Sequence, residues 1–117
     1  MIKLEELSYN DKIVLTISLD EKDNSLVFTD KNNHSIVMSD SGITIKSEKN
    51  ITIHAAQNLI LKGDKGVKIE SSRGDVQIKG VNIKESASLA YSAKGGTTAS
   101  LIGGTKTTIK GAMVMIN

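Results

Sequence analysis

The sequence has 117 residues, of which 38% are hydrophobic but only 3% aromatic, and it contains no Trp, Pro or Cys. The shortage of large aromatic side chains argues against a globular core, in which such side chains supply much of the packing area. The absence of Cys excludes a disulfide framework and a thiolate site, and no apolar run reaches the 18 residues or so that span a bilayer.

The first 42 residues predict a small β-strand collar, either an antiparallel meander or the last strands of a preceding barrel. Residues 1–9 fit a strand and a short helical turn equally well. Alternating apolar residues then predict strands over residues 12–19, 26–29 and 36–38. Clusters of Asp, Asn and Lys predict turns at residues 20–24 and 30–33. We expect this collar to seed an assembly and to set the register of the residues that follow.

From Ile43 the sequence repeats every eight residues, beginning with the octads ITIKSEKN, ITIHAAQN, LILKGDKG and VKIESSRG. The first and third positions of each octad are apolar and their neighbours are mostly polar, which is the pattern of a half-buried strand. The octads close on residues that tolerate the positive φ of a sharp turn, namely Asn50, Asn58, Gly66 and Gly74. Each octad therefore predicts one short strand and one corner.

The repeat is interrupted at residues 75–80, DVQIKG, because Val67 and Val81 are fourteen residues apart, two short of two octads. We expect a tight corner or small bulge there, left by a deletion. The octads resume at Val81, and a half-unit, MVMIN, ends the sequence. The predicted interior positions are Ile43, Ile45, Ile51, Ile53, Leu59, Leu61, Val67, Ile69, Val81 and Ile83.

A strand of about five residues cannot bury its apolar side alone and must stack on others. One chain could coil into a three-sided solenoid, or three identical chains could each supply one side of a closed prism. The early octads do not choose between these two. The later octads favour three chains, because their interior positions shrink to Ala99, Thr105 and Thr107 and suit a prism that narrows along its axis.

The octads, the preamble LVFTDKNNHSIVMSDSGITIKS and the ending TTIKGAMVMIN resemble the C-terminal needle of contractile-injection spikes. These are the valine-glycine repeat spikes of type VI secretion and the central spikes of phage baseplates. The resemblance covers roughly residues 25–117. It implies an all-β, intertwined, homotrimeric triple-stranded β-helix over residues 43–117, a β-prism needle behind the collar of residues 1–42. The hub and barrel domains that precede the needle in that family do not fit in 117 residues, so this is a needle fragment or an unusually short spike.

The last five residues alternate apolar side chains without any charge, and three copies would end the prism in an apolar rim of unpaired strand edge. In the resembled spikes a small conical PAAR-repeat protein caps this end. The resemblance thus implies a tip partner at Met113, Val114, Met115, Ile116 and Asn117. It also implies a baseplate or hub at the N-terminal end and a target membrane that is contacted only mechanically.

Charge is distributed unevenly along the chain. Residues 1–42 hold four Lys and eight acidic residues, whereas residues 43–117 hold eleven Lys and Arg and five acidic residues. A basic stripe could meet nucleic acid, but these cations are spread singly and no aromatic residues lie between them to stack on bases. We expect a solvated outer face and no nucleic-acid partner.

Catalytic and metal-binding patterns are missing from the sequence. The carboxylates of Asp64, Glu70, Asp75 and Glu85 are scattered along the predicted outer surface, and no phosphate- or dinucleotide-binding motif is present. His34 and His54 are isolated, and the His-x-His pair that binds iron in some phage spikes is missing. We expect no enzyme activity, no metal and no cofactor.

The resulting hypothesis is a structural, membrane-piercing spike of a contractile injection system that carries a tip protein. No N-terminal apolar run resembles a signal peptide. We therefore expect assembly in the cytoplasm, followed by secretion or injection through the machine or incorporation into a phage-tail-like particle. The alternative is a β-helical fibre whose outer face binds a glycan or surface receptor.

Overall fold

The computed structural model describes the backbone of residues 2–117 and the side chains of residues 8–117. The fold is all-β. Five strands form one open antiparallel sheet, with β1 at Ile2–Tyr9, β2 at Lys12–Asp20, β3 at Ser25–Asp30, β4 at Ser35–Ser39 and β5 at Gly42–Lys46. The strands lie in sequence order, β1-β2-β3-β4-β5, as a meander. Residues 2–117 contain no helix, and hence none long and apolar enough to cross a membrane.

The turns of the meander are set by Asn and Asp. Asn10 and Asp11 both have positive φ, 50° and 59°, and form the two-residue link between β1 and β2 that matches the twist of paired strands. Asn24 and Asn33 also have positive φ at the next two turns. Asp30 closes its own turn, because its Oδ1 accepts the backbone N–H of Asn32 and of His34, both at 2.9 Å. The strands and turns predicted for residues 12–38 are confirmed with slightly wider strands, and residues 2–9 are a strand.

The start of the octads belongs to this sheet. β5 covers Ile43 to Lys46 of the first octad and pairs with β4 in the register Met38–Ile43 and Ile36–Ile45. The chain forms two compact units, Met1–Val67 and Lys68–Asn117. The division between a collar and a needle after residue 42 stays a prediction.

Beyond β5 the chain bends at regular intervals and forms no strand or helix of its own. The bends lie at residues 48–49, 56–57, 64–65, 72–74, 81, 88–89, 96–97, 104–105 and 112. The period of eight therefore continues through residues 75–80. The corner or bulge predicted within those residues is wrong, because bends lie on either side of them.

The lengths of two units explain why the repeat looked interrupted. Val67 and Val76 are nine positions apart and Val76 and Ile83 are seven positions apart, so these two units together have the length of two octads. Val76 and Ile78 are 50% and 68% exposed, close to the 54% and 68% of Leu59 and Leu61. They are thus equivalent to the first and third octad positions. Val81 lies at a bend with a fully exposed side chain.

The corners depend on close packing of the backbone and not on positive φ. Asn50 and Asn58 do not adopt the predicted positive φ, and they follow the bends by one residue. The fifth residue of every unit, just before the bend, is small: Ser47, Ala55, Gly63, Ser71, Gly80, Ala87, Gly95, Gly103 and Gly111. A Cβ built on Gly63 or Gly95 would overlap the carbonyl oxygen three residues later. Glycine at these corners therefore provides space for the backbone.

Candidate assembly surface

The predicted interior residues form an exposed apolar stripe. Ile43, Ile45, Ile51, Ile53, Leu59, Leu61, Val67, Ile69 and Ile83 are all 52–69% exposed. Val81 is fully exposed at a corner and departs from this series. We define the octad stripe as these nine residues together with Val76 and Ile78. Regular exposure of apolar side chains at one position after another is what an uncovered interaction surface looks like.

From Ile51 onward the backbone that carries the octad stripe is also unpaired, whereas Ile43 and Ile45 lie in β5, which pairs with β4. Residues 47–67 contain no backbone–backbone hydrogen bond, and neither do residues 68–117. Backbone N–H and C=O groups in folded proteins are nearly always paired with protein or water. Residues 47–117 alternate straight pieces with regular corners. Their free backbone groups resemble the unpaired edge of a strand, which can pair with another chain.

One face of the sheet likewise presents rows of apolar side chains. The residues of two cross-strand rows are in direct register, Ile17–Phe28–Ile36–Ile45 and Leu19–Leu26–Met38–Ile43. We call these eight residues the collar face. Because side chains alternate between the two sides of a strand, all eight lie on one side of the sheet. Among residues 8–117 no apolar side chain is buried, whereas Ser18 and Ser25 on the opposite side are.

An open apolar cavity of about 360 Å³ lies on the collar face near the first corner. Its apolar lining comes from Leu15, Phe28, Ile36, Ile45 and Ile51, which belong to β2, β3, β4, β5 and the second octad. The cavity therefore lies where the collar face meets the octad stripe.

His34 fixes the first corner to the sheet. Its Nδ1 accepts the backbone N–H of Glu48 at 3.0 Å and lies 3.2 Å from the Ser47 hydroxyl. Partial burial raises the pKa of the neighbouring Asp30 carboxyl, but the N–H groups of His34 and Asn32 and the His34 ring outweigh that effect and lower the pKa below its usual value. His34, expected to be an isolated surface residue, links two segments fourteen residues apart. No nearby sequence pattern signals this contact.

Two exposed ion pairs join neighbouring charged residues of the octads. The Lys46 Nζ lies 3.1 Å from a Glu48 oxygen, and the Lys68 Nζ lies 2.8 Å from a Glu70 oxygen. A hydrogen bond to Glu85 and the charge of that carboxylate raise the pKa of the Tyr91 hydroxyl. The residues with described side chains contain no group of three or more His, Asp or Glu placed to hold a metal ion.

The predicted tip residues are exposed, with Met113, Met115 and Ile116 at 78–86% and Val114 at 49%.

The sequence matches no protein-family model. No curated protein matches it either.

Proposed function

We propose that this chain is a structural protein, three copies of which wind into a triple-stranded β-helical needle. The observation that carries the proposal is that unpaired backbone and the exposed octad stripe coincide over residues 51–83. A sister chain that adds strands would satisfy both at once, pairing the free N–H and C=O groups and covering the stripe.

A single-chain solenoid is less well supported. A three-sided solenoid would pair each straight segment with the segment about three octads further along, as stacked repeats do. Residues 68–117 are long enough for two such turns and contain no backbone–backbone hydrogen bond. The free hydrogen-bonding groups therefore favour partners outside the chain.

The number of chains follows from the shape of one repeat and from the family resemblance. Each octad is one straight segment and one corner, so one chain contributes one side of a prism at each level. Three is the smallest number of straight sides that closes a prism, and closure removes the free strand edges. Within the prism we place Val76 and Ile78 in the core in place of Val81, because Val81 lies at a corner.

The biological role we propose is that of a spike which breaches a target envelope at the head of a contractile injection machine. The support is the resemblance of residues 25–117 to the needles of such machines and the mechanics of an intertwined rod. Its backbone hydrogen bonds run between three chains, so many must fail together before one strand is removed. In this role the C-terminal rim carries a small PAAR-type tip protein, and the N-terminal end meets a baseplate or hub.

The molar mass in solution tests this proposal. Size-exclusion chromatography with light scattering should give three times the 12.5 kDa chain mass, and the assembly should resist heat and detergent. A stable monomer at micromolar concentration would overturn the trimer. If the protein is a trimer that binds no tip protein, the alternative is a receptor-binding fibre. Binding of a glycan to the outer face of the octads would support that alternative.

A further inference from the structure

The collar face is a second apolar surface, separate from most of the octad stripe and formed by strands that are already paired. Its eight side chains come from four adjacent strands, and none of the eight carries a charge. Ile36 and Met38 in its centre are 43% and 36% exposed. A sheet with one apolar face needs a second layer against that face to form a core.

Burial on the collar face is uneven. Its residues in β2 and β3 are half-buried, whereas its residues in β4 and β5, Ile36, Met38, Ile43 and Ile45, are exposed. The only buried side chains among residues 8–117, Ser18 and Ser25, lie on the opposite side. Covering apolar area contributes about 25 cal/mol per Å². The chain therefore leaves its most favourable burial unused within one copy.

We infer that the collar face is an interface between copies of this chain, meeting the same face of the two other chains about the three-fold axis. This inference rests on the proposed trimer and names a contact within it. Ile43 and Ile45 belong to both the collar face and the octad stripe, so a chain that covers the stripe at its first octad also reaches the face. Three uncharged faces can meet without repulsion between like charges.

The cavity on the collar face would receive side chains of a neighbouring copy at this interface. It opens between Phe28, Ile36 and the second octad, at the level where neighbouring chains begin to wind. Apolar side chains of a neighbouring copy would fill it. A filled cavity would align the three sheets before the first corner and fix which octad of one chain lies beside which octad of the next, since β-strand register is set wherever one face is buried.

Cross-linking through single cysteines tests the interface, because the natural sequence contains no Cys. The full-length variant Met38→Cys carries its thiol on the collar face. Val37→Cys carries it on the opposite side of the same strand and is the matched control. Ile53→Cys reports on the octad stripe. Each protein is treated with a compact trifunctional maleimide and analysed on a denaturing gel, while light scattering gives its native mass.

We expect Met38→Cys and Ile53→Cys to yield a covalent trimer and Val37→Cys to stay monomeric on the gel. A trimer from Ile53→Cys, with Met38→Cys and Val37→Cys equally unreactive, would overturn the collar interface and leave the needle intact. A monomeric native mass of the unmodified protein would remove both proposals. If Met38→Cys fails to assemble, Ile36→Cys decides. If neither Met38→Cys nor Ile36→Cys assembles while Val37→Cys does, the collar face is required for assembly. If Ile36→Cys assembles but yields no covalent trimer, the interface is overturned.

Discussion

The Nδ1 atom of His34 accepts the backbone N–H of Glu48 at 3.0 Å, and this bond joins the turn after β3 to the first octad corner. A nitrogen that accepts in this way carries no proton, so the bond is made by the Nδ1 lone pair. The His34 side chain thereby joins the β3–β4 turn to the first corner.

Replacing His34 by Ala removes this acceptor and leaves the Glu48 N–H without its partner. We expect a loss of about 1 kcal/mol in the free energy of unfolding, the usual net value of one hydrogen bond. Faster hydrogen exchange at the Glu48 amide would locate the effect. His54→Ala, at an exposed position, is the control and should change neither quantity. An unchanged Glu48 amide in the His34 variant would contradict the contact.

Asp30 gives the β3–β4 turn a dependence on pH. Its folded pKa lies below the usual 3.8, so the carboxylate contributes stability that is complete above the unfolded pKa and is lost as the pH falls through the folded pKa. Asp30→Ala should therefore destabilise the protein at neutral pH, with the difference from the natural protein closing in acid. Denaturant titrations at several pH values between neutrality and strong acid measure this difference. A gap that stayed constant down to the lowest pH would exclude the carboxylate as its source.

The octad stripe can be tested by burying charge in it. Ile53→Asp or Ile69→Asp would bring three carboxylates together in the core of the trimer without counter-ions, and we expect assembly to be abolished. Lys62→Asp, on the polar side of its octad, should be tolerated. Native mass by light scattering compares the two classes. Equal effects of the Ile and Lys substitutions would show that the assignment of faces is wrong.

Two adjacent glycines provide a matched pair at one corner. A Cβ on Gly95 would overlap the Thr98 carbonyl oxygen, whereas a Cβ on Gly96 meets nothing within 4 Å. We expect Gly95→Ala to cost about 2 kcal/mol per chain, as forced overpacking typically does, and to lower the temperature of unfolding. Gly96→Ala should leave that temperature nearly unchanged. Calorimetry measures the unfolding temperature of the two variants. A lower unfolding temperature for Gly96→Ala than for Gly95→Ala would refute the corner geometry.

The exposed tip separates a needle from a generic fibre. Deleting residues 113–117, or replacing Met115 by Lys, should remove binding of a PAAR-type protein encoded beside this one and leave the trimer intact. The introduced charge acts through desolvation and not through long-range repulsion, so added salt should restore little binding. Calorimetric titration of the intact and truncated trimers measures the affinity. Undiminished binding by the truncated trimer would place the partner elsewhere.

The features that the sequence predicted correctly are those set by neighbouring residues. Alternation in β2 to β4 and the Asn and Asp turns are local signals, and they predicted the meander. The pattern of residues 1–9 fits two local structures, and pairing with β2 is what makes it a strand. The apolar residues alone make the repeat look interrupted, because Val81 is apolar but lies at a corner. The small fifth residue recurs every eight positions from Ser47 to Gly111 except around residues 75–80, where Ser71 to Gly80 is nine positions and Gly80 to Ala87 is seven, and this spacing reveals the compensated unit lengths.

The unpaired backbone of the octads has a consequence for how the protein reaches its working form. A segment without internal hydrogen bonds has no folded state to reach by itself. We therefore expect it to fold only when chains associate, at a rate that rises with chain concentration. The meander connects strands adjacent in sequence, so each of its hairpins can form within one chain, in about 1–10 microseconds. During synthesis the meander therefore comes first, and neighbouring nascent chains on one message would supply the local concentration that starts the winding.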